Sequence, residues 1–162
     1  MYSIIQAKPE YLHDIYSMVL ELAQYEGIRD RMRITEFELG ELLFCKQPNH
    51  FVAMALANEK LVGFAMYNVT HHNVCVNVTD GLYMENLYVS PEARQQGIGT
   101  ALFAHVAKVA KDMDASRLEW WVSQSNPEAQ RFYTKTGAVV LSDWNAYKCD
   151  QICIDQLLRR EA

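Results

Sequence analysis

The sequence predicts an α/β protein whose sheet mixes antiparallel and parallel strands. Three observations lead there. Apolar residues switch repeatedly between alternate spacing and helical spacing along the chain. Two apolar stretches separated by Asn58-Glu59-Lys60 read as an antiparallel hairpin. Later strand-like stretches are separated by helical ones, which is how parallel crossovers are made.

The elements follow in order. Residues 3–7 read as a first strand. Pro9-Glu10 opens a helix with Leu12, Ile15, Val19 and Leu22 at helical spacing, and Gly27 stops it. Thr35-x-x-Glu38 forms a capping box ahead of a second short helix carrying Leu39, Leu42 and Leu43. The hairpin covers 51–56 and 61–69. A polar loop runs over 71–80, with an extended stretch at Val74-Cys75-Val76. Residues 82–89 form a strand and Ser90-Pro91-Glu92-Ala93 a turn. Residues 97–113 form a helix with Ile98, Leu102, Val106, Val109 and Met113 on one face. A strand at 117–122, a helix at 126–135 and strands at 137–141 and 146–154 complete the chain.

Composition narrows the function. The chain has 162 residues, half of them hydrophobic, which fits one domain over 1–162. No apolar run reaches the roughly 18 residues that a membrane span needs. The start Met1-Tyr2-Ser3-Ile4-Ile5-Gln6 lacks the basic and apolar regions of a signal peptide, so a cytoplasmic location is expected. The net charge of −5 argues against nucleic-acid binding and mildly favours a cationic substrate. None of Cys45, Cys75, Cys149 and Cys153 forms a C-x-x-C pair, and no His stands at zinc-finger spacing, so no metal is expected. The cysteines read as free thiols, mostly buried. Cys149 and Cys153 on one strand face could not bridge easily. His71-His72 is either a solvated loop pair or a metal or proton site.

The most informative stretch is Tyr88-Val89-Ser90-Pro91-Glu92-Ala93-Arg94-Gln95-Gln96-Gly97-Ile98-Gly99-Thr100. A strand ends, a loop follows, and a helix begins at two glycines. Such a helix start offers unpaired N–H groups and the positive end of the dipole. Gly97 and Gly99 let an anion approach the backbone, and Arg94 adds a cation. A tight turn in which glycine relieves strain fits the glycines equally well. No Gly-Lys-Ser/Thr follows, which excludes a Walker A loop. Leu102 stands where a dinucleotide fold needs its third glycine.

Arg94-x-x-Gly97-x-Gly99 directly after Leu87-Tyr88-Val89 resembles the acetyl-CoA signature of the GNAT superfamily of N-acetyltransferases. The resemblance implies a GNAT fold, a mixed and largely antiparallel central sheet flanked by helices. It implies a bulge in the strand before the signature. It also implies pantetheine along Leu87, Tyr88 and Val89, and pyrophosphate over Arg94, Gln95, Gln96, Gly97, Ile98, Gly99 and Thr100.

A second segment fits the same family. In Ser125-Asn126-Pro127-Glu128, Asn126 suits an N-cap, Pro127 the first helical position and Glu128 the dipole. Ala129-Gln130-Arg131-Phe132-Tyr133 follows, and Gly137-Ala138 closes the helix. Asn-Pro, Phe-Tyr and Gly-Ala in this order resemble the GNAT pattern. The resemblance assigns Tyr133 as the acid toward the departing CoA thiolate, and Asn126, Pro127, Glu128 and Ala129 as cofactor contacts. By itself, Phe132-Tyr133 also reads as core packing. An amine must lose a proton to attack, and Glu85 is the candidate base, acting through water. It alternates with Tyr83, Leu87 and Val89, which places it on their strand face unless it sits at an edge or pairs a buried Arg.

Glu21-Leu22-Ala23-Gln24-Tyr25-Glu26, Val62-Gly63-Phe64-Ala65-Met66-Tyr67 and Met84-Glu85-Asn86-Leu87-Tyr88-Val89 resemble the diamine and thialysine N-acetyltransferases over nearly the whole chain. That resemblance implies a substrate channel lined by Tyr25, Glu26, Glu85, Glu119, Trp120 and Trp121, with the carboxylates suited to a cationic amine. It implies a homodimer with residues 147–154 at or near the interface. The diamine enzymes carry two adjacent acids where this chain has Glu85-Asn86, and their loop differs from Thr70–Gly81. A shorter amine or lysine-like amino acid is therefore as plausible as a long polyamine. Two other readings are a peptide or protein Nα-acetyltransferase and a non-catalytic acyl-CoA-binding module.

Overall fold

The computed structural model describes residues 1–71 and 79–160. It divides into two units, Met1–Trp121 and Val122 onward. The extended stretch expected at Val74-Cys75-Val76, and His72, lie outside the described residues.

The first unit is built on a five-stranded sheet in the order β1-β2-β3-β4-β5. Its strands are Tyr2–Gln6, His50–Ala57, Lys60–Thr70, Gly81–Val89 and Leu118–Glu119. The first three pairings are antiparallel, and β5 joins β4 in parallel. The β2–β3 hairpin turns through Asn58 and Glu59, both at positive φ (48° and 63°). Two successive left-handed residues match the twist of the flanking strands.

Helices cover both sheet faces. Helix α1, Leu12–Tyr25, buries Ile15, Met18, Leu22 and Ala23, and α2, Glu36–Phe44, buries Leu39 and Leu43. They pack on Val52, Met54, Phe64, Met66 and Tyr88. Helix α3, Ile98–Asp112, lays Ile98, Leu102, Val106 and Ala110 on the other face, against Ala53, Ala55, Ala65, Tyr67 and Leu82. Met113, expected on that apolar face, stands past the helix end and is exposed. α3 packs close because Gly63 has no side chain. A Cβ there would meet the Tyr88 carbonyl oxygen at 2.9 Å and Leu102 at 3.3 Å.

In β4 the register against β3 shifts by one residue. Met66 faces Asn86 and Tyr67 faces Met84, so Glu85 is the extra residue of a bulge. A bulge reverses the alternation beyond it. Leu82 therefore shares the α3 face with Leu87 and Val89, while Tyr88 enters the α1–α2 core. This corrects the sequence-based placement of Glu85 with Tyr83, Leu87 and Val89 on one face. Strict alternation cannot register an inserted residue.

The second unit holds α4, Pro127–Lys135, and α5, Gln151–Arg160. Gly137, at φ +88°, follows α4. The strands expected at 137–141 and 146–154 are absent among the described residues. Val139, Val140 and Leu141 are exposed and paired to no described strand. Residues 151–160 are helical instead, because Asp150 acts as a cap. Its carboxylate accepts from Cys153 N at 3.0 Å and its carbonyl from Ile154 N at 2.9 Å. The Ile152/Ile154 alternation suggests a strand, but this start signal and the Gln151–Asp155 contact at 3.0 Å prevail.

The helix start also corrects the cysteine reading. Cys149 and Cys153 are disulfide-bonded, with Cα atoms 5.3 Å apart. Residues four apart on a strand would be separated by about 13 Å, whereas a helical turn folds them together. Cys45 is free, as expected, but exposed rather than buried.

The capping box at α2 forms as its sequence predicts. Thr35 Oγ1 accepts from Glu38 N at 3.2 Å, and Glu38 accepts from Thr35 N at 2.8 Å. The Thr35 N–H and hydroxyl hold the Glu38 carboxyl below its ordinary 4.5. A depressed carboxyl stabilises the fold above its unfolded pKa and loses that effect as pH falls through the folded value. Thr35→Ala should lower unfolding stability by about 1 kcal/mol in urea titrations at pH 7, with the deficit shrinking below pH 4.5.

Candidate functional site

The turn between β4 and α3 exposes donors instead of pairing them. Gly97 is the N-cap of α3 at φ +80°, and no side chain caps the helix. The first bond into the helix runs from Ala101 N to Gly97 O at 3.0 Å. The N–H groups ahead of it therefore point out of the helix start, at the positive end of its dipole. Gln95 is also left-handed, at φ +61°. That conformation costs a non-glycine residue about 1–3 kcal/mol and is typical of sites that shape backbone around a ligand.

The two glycines differ in what they do. Gly97 is needed for its backbone angle. Gly99 is not at positive φ, and a Cβ there would meet only Val89 Cγ2, at an ordinary 3.8 Å. Packing thus does not require glycine at 99. An anion seated on the helix start would require it, and a pyrophosphate fits this donor set.

Arg94 does not project freely. Its Nε donates to Val89 O at 3.0 Å. Its guanidinium lies 4.7 Å from the Tyr25 ring centroid and 5.8 Å from that of Tyr88. Such cation–π contacts contribute about 0.5–1 kcal/mol at an exposed site. Arg94 thereby ties the end of β4 and the following turn to the end of α1. Gln96 bonds back to Glu92 O at 3.3 Å. Of Leu87, Tyr88 and Val89, Tyr88 is a core side chain. Beyond Tyr83 the edge of β4 opposite β3 pairs with no described strand, since β5 pairs only through Leu118 and Glu119. The backbone of 87–89, not its side chains, is what this edge offers a ligand.

The residues expected to line an amine channel separate into groups. Tyr25 and Tyr88 rings lie 6.2 Å apart under Arg94. Next to Tyr25 in sequence, Glu26 has its carboxyl raised by partial burial. A nearby cation would lower it again. Trp121 is exposed and meets the Tyr83 ring edge-on at 6.1 Å. The Tyr83 phenol is raised by burial and then by the Glu85 charge. Trp120 packs edge-on against Phe103 of α3 at 5.1 Å, so the two tryptophans face opposite ways. Glu119 accepts from Arg117 Nε at 3.0 Å, and this cation already balances its charge.

Glu85 has partners the sequence did not signal. One oxygen, Oε1, accepts from Asn68 Nδ2 at 2.5 Å and lies 3.0 Å from His50 Nε2. Asn68 pairs with His50 across β2–β3 and with Tyr83 across β3–β4. His50 opens β2 and Asn68 interrupts an apolar strand, but only the strand register brings them to Glu85. On its other side His50 borders a cleft of about 200 Å³ together with Gln6, Leu43, Phe44 and Pro48.

In the second unit, Asn126 caps α4 by accepting from Ala129 N at 3.0 Å, and Pro127 and Glu128 occupy its first turn. Its Oδ1 is thus engaged by the helix, leaving Nδ2 for a ligand. Phe132 and Tyr133 rings pack edge-on at 5.0 Å. Burial pushes the Tyr133 phenol up to about 12. His71 Nδ1 lies 2.6 Å from Asp80 Oδ1, on the surface. No cluster of three metal-ligating side chains occurs among the described residues, and no described helix is long and apolar enough to cross a membrane.

Comparison with known proteins bears on these expectations. The profile of the acetyltransferase (GNAT) family matches residues 12–138. A thialysine N-epsilon-acetyltransferase of Bos taurus is 30% identical over 90% of this chain and 89% of its own length. One from Caenorhabditis elegans is 27% identical over 96% of each chain. Among solved structures, an integron cassette protein from the mobile metagenome of V. cholerae superposes with a TM-score of 0.80, at 26% identity over 98% of each chain. An aminoglycoside N-acetyltransferase solved with CoA gives 0.74 over 91% of this chain and 94% of that one; its 20% identity bears on the fold alone. The profile covers most of the first unit and the whole of α4, and members of this family use acetyl-CoA. The chain belongs to the acetyltransferase (GNAT) family and is an acetyltransferase of that type.

Proposed function

We propose that this enzyme transfers the acetyl group of acetyl-CoA to the primary amine of a small cationic substrate, a diamine, polyamine or lysine-like amino acid. The reading takes residues 1–162 as one GNAT domain. The observation that carries it is the β4 bulge. It turns Glu85 toward His50 and Asn68 and away from Leu87 and Val89, so one strand offers both a carboxylate and an open backbone edge. Near relatives named thialysine N-epsilon-acetyltransferases support the acceptor class.

In this reading the backbone of 87–89 holds the pantetheine arm. The helix start at 97–100, with Arg94, holds the pyrophosphate. Asn126 Nδ2 and the first turn of α4 add further contacts. Tyr25, Glu26 and Trp121 line the acceptor channel; Trp120, turned onto Phe103 of α3, stands outside it, against the sequence-based expectation. Glu119, neutralised by Arg117, contributes less charge there than Glu85 and Glu26. Acetyl-CoA supplies the acetyl group as a thioester.

Glu85 takes one proton from the ammonium through water, and the neutral amine then attacks the thioester carbonyl carbon. The C–N bond forms, the C–S bond breaks, and the nitrogen gives up its second proton to solvent water. The departing sulfur receives a hydrogen bond and a proton from the Tyr133 side, and the phenol recovers its proton from solvent. A phenol at about 12 cannot hand its proton fully to a free thiolate of ordinary pKa near 8.5 without cost. The difference amounts to about 5 kcal/mol. Tyr133 therefore works by hydrogen bonding, or by transfer concerted with C–S cleavage.

The chain is further proposed to act as a cytoplasmic homodimer. Exposed Val139, Val140, Trp144, Tyr147 and Leu158 give the second unit apolar surface for a second copy. Light scattering at micromolar concentration should give twice the chain mass; a single-chain mass would remove this part. A reducing compartment would keep Cys149 and Cys153 as thiols, leaving the Asp150 cap as the start signal of α5.

The test is CoA thiol release with a panel of diamines, polyamines, thialysine and lysine analogues, set beside N-terminal peptides. Turnover confined to peptides, or absent on every amine despite CoA binding, would reject the proposal. Gly99→Ala should not lower the melting temperature, because its Cβ has room and alanine favours a helix, and should weaken CoA binding about tenfold or more by calorimetry. Tyr133→Phe should lower kcat by about 10- to 100-fold with CoA affinity unchanged. Since the phenol stays protonated through pH 10, wild-type kcat should not fall between pH 7 and 10 through its ionisation.

A further inference from the structure

We infer that His50 is a positioning residue for Glu85, fixing one carboxylate oxygen so that the other faces the acceptor amine. This rests on the reading of Glu85 as the base.

The argument is one of hydrogen-bond accounting. Oε1 of Glu85 receives Asn68 Nδ2 at 2.5 Å and lies 3.0 Å from His50 Nε2. No described residue donates to Oε2. An ionised carboxylate only accepts, so Nε2 must carry a proton to face it at this distance. Nδ1 of His50 is buried and makes no hydrogen bond among the described residues. A proton on Nδ1 would bury an unpaired N–H. If it were the ring's only proton, the Nε2 lone pair would also point at the carboxylate. A single proton on Nε2 avoids both costs. His50 is thus a fixed donor and not a proton relay.

Two donors on one oxygen do two things. They hold the carboxylate plane, since His50 on β2 and Asn68 on β3 grip it across two strand pairings. They also leave Oε2 as the oxygen open to the acceptor, because Oε1 already carries two donors. The bulge makes this possible, as it inserts Glu85 beside the His50–Asn68 pair. Among described residues, the titratable groups around Glu85 are His50 from β2 and the Tyr83 phenol of its own strand; Asn68 from β3 is neutral.

The test uses the full chain with the best amine of the panel. A glutamine amide nitrogen reaches the position of Nε2, so His50→Gln should keep kcat within about threefold of wild type. His50→Leu and His50→Asn, which lack that donor, should lower kcat by about 10- to 100-fold with KM nearly unchanged, the order of one hydrogen bond to a charged group. Equal losses in all three variants, or no loss in His50→Leu, would overturn the inference. Should His50→Leu not fold, nitrogen-15 NMR of the wild-type imidazole decides: Nε2–H at pH 7 supports the inference, Nδ1–H overturns it. Glu85→Gln separates the two layers. Wild-type turnover in that variant removes Glu85 as base, and the role of His50 with it. Impaired Glu85→Gln beside an unimpaired His50→Leu removes only the role of His50.

Discussion

The first unit turns on one inserted residue in β4. A strand packed on both faces must keep apolar side chains pointing both ways, and Leu82, Met84, Leu87 and Tyr88 meet that demand only because the register shifts at Glu85. Without the shift, Leu87 and Val89 would point away from α3 and Tyr88 would leave the core it shares with Phe64 and Met66. The bulge also decouples the two halves of the strand. Leu82 and Tyr83 run against both β3 and β5, whereas Leu87–Val89 pairs, among the described strands, with β3 alone. One packing requirement thus supports a carboxylate on one side and an open backbone edge on the other.

The close approach of α3 depends on the same region. Gly63 lets Leu102 pack against the sheet beside the Tyr88 carbonyl. That contact brings the start of α3 to the end of β4, and Arg94 bridges back to Val89 O while stacking on Tyr25. Donor-side backbone and the end of α1 are therefore mechanically linked through one guanidinium.

Local signals in the sequence were legible where the chemistry is local. Thr35-x-x-Glu38, Asn126-Pro127 and the Gly97 start of α3 each specify backbone conformation within four residues, and each forms as its pattern implies. The C-terminal region shows the opposite. Ile152 and Ile154 alternate like a strand, yet a strand needs a neighbour, and residues 137–154 find none among the described residues. Asp150 then decides the outcome by satisfying a helix start, which also brings Cys149 and Cys153 within bonding reach.

The sequence by itself determined the family, the sheet with its flanking helices through α4, and the glycine turn that starts α3, because these rest on spacing within short segments. Tertiary structure alone decided which face Glu85 occupies, that His50 and Asn68 hold it, and that Trp120 meets Phe103 while Trp121 meets Tyr83. Each of these is set by cross-strand register or by helix docking. Residues 18 or 35 positions apart become neighbours only when strands pair, and a single inserted residue changes which ones meet.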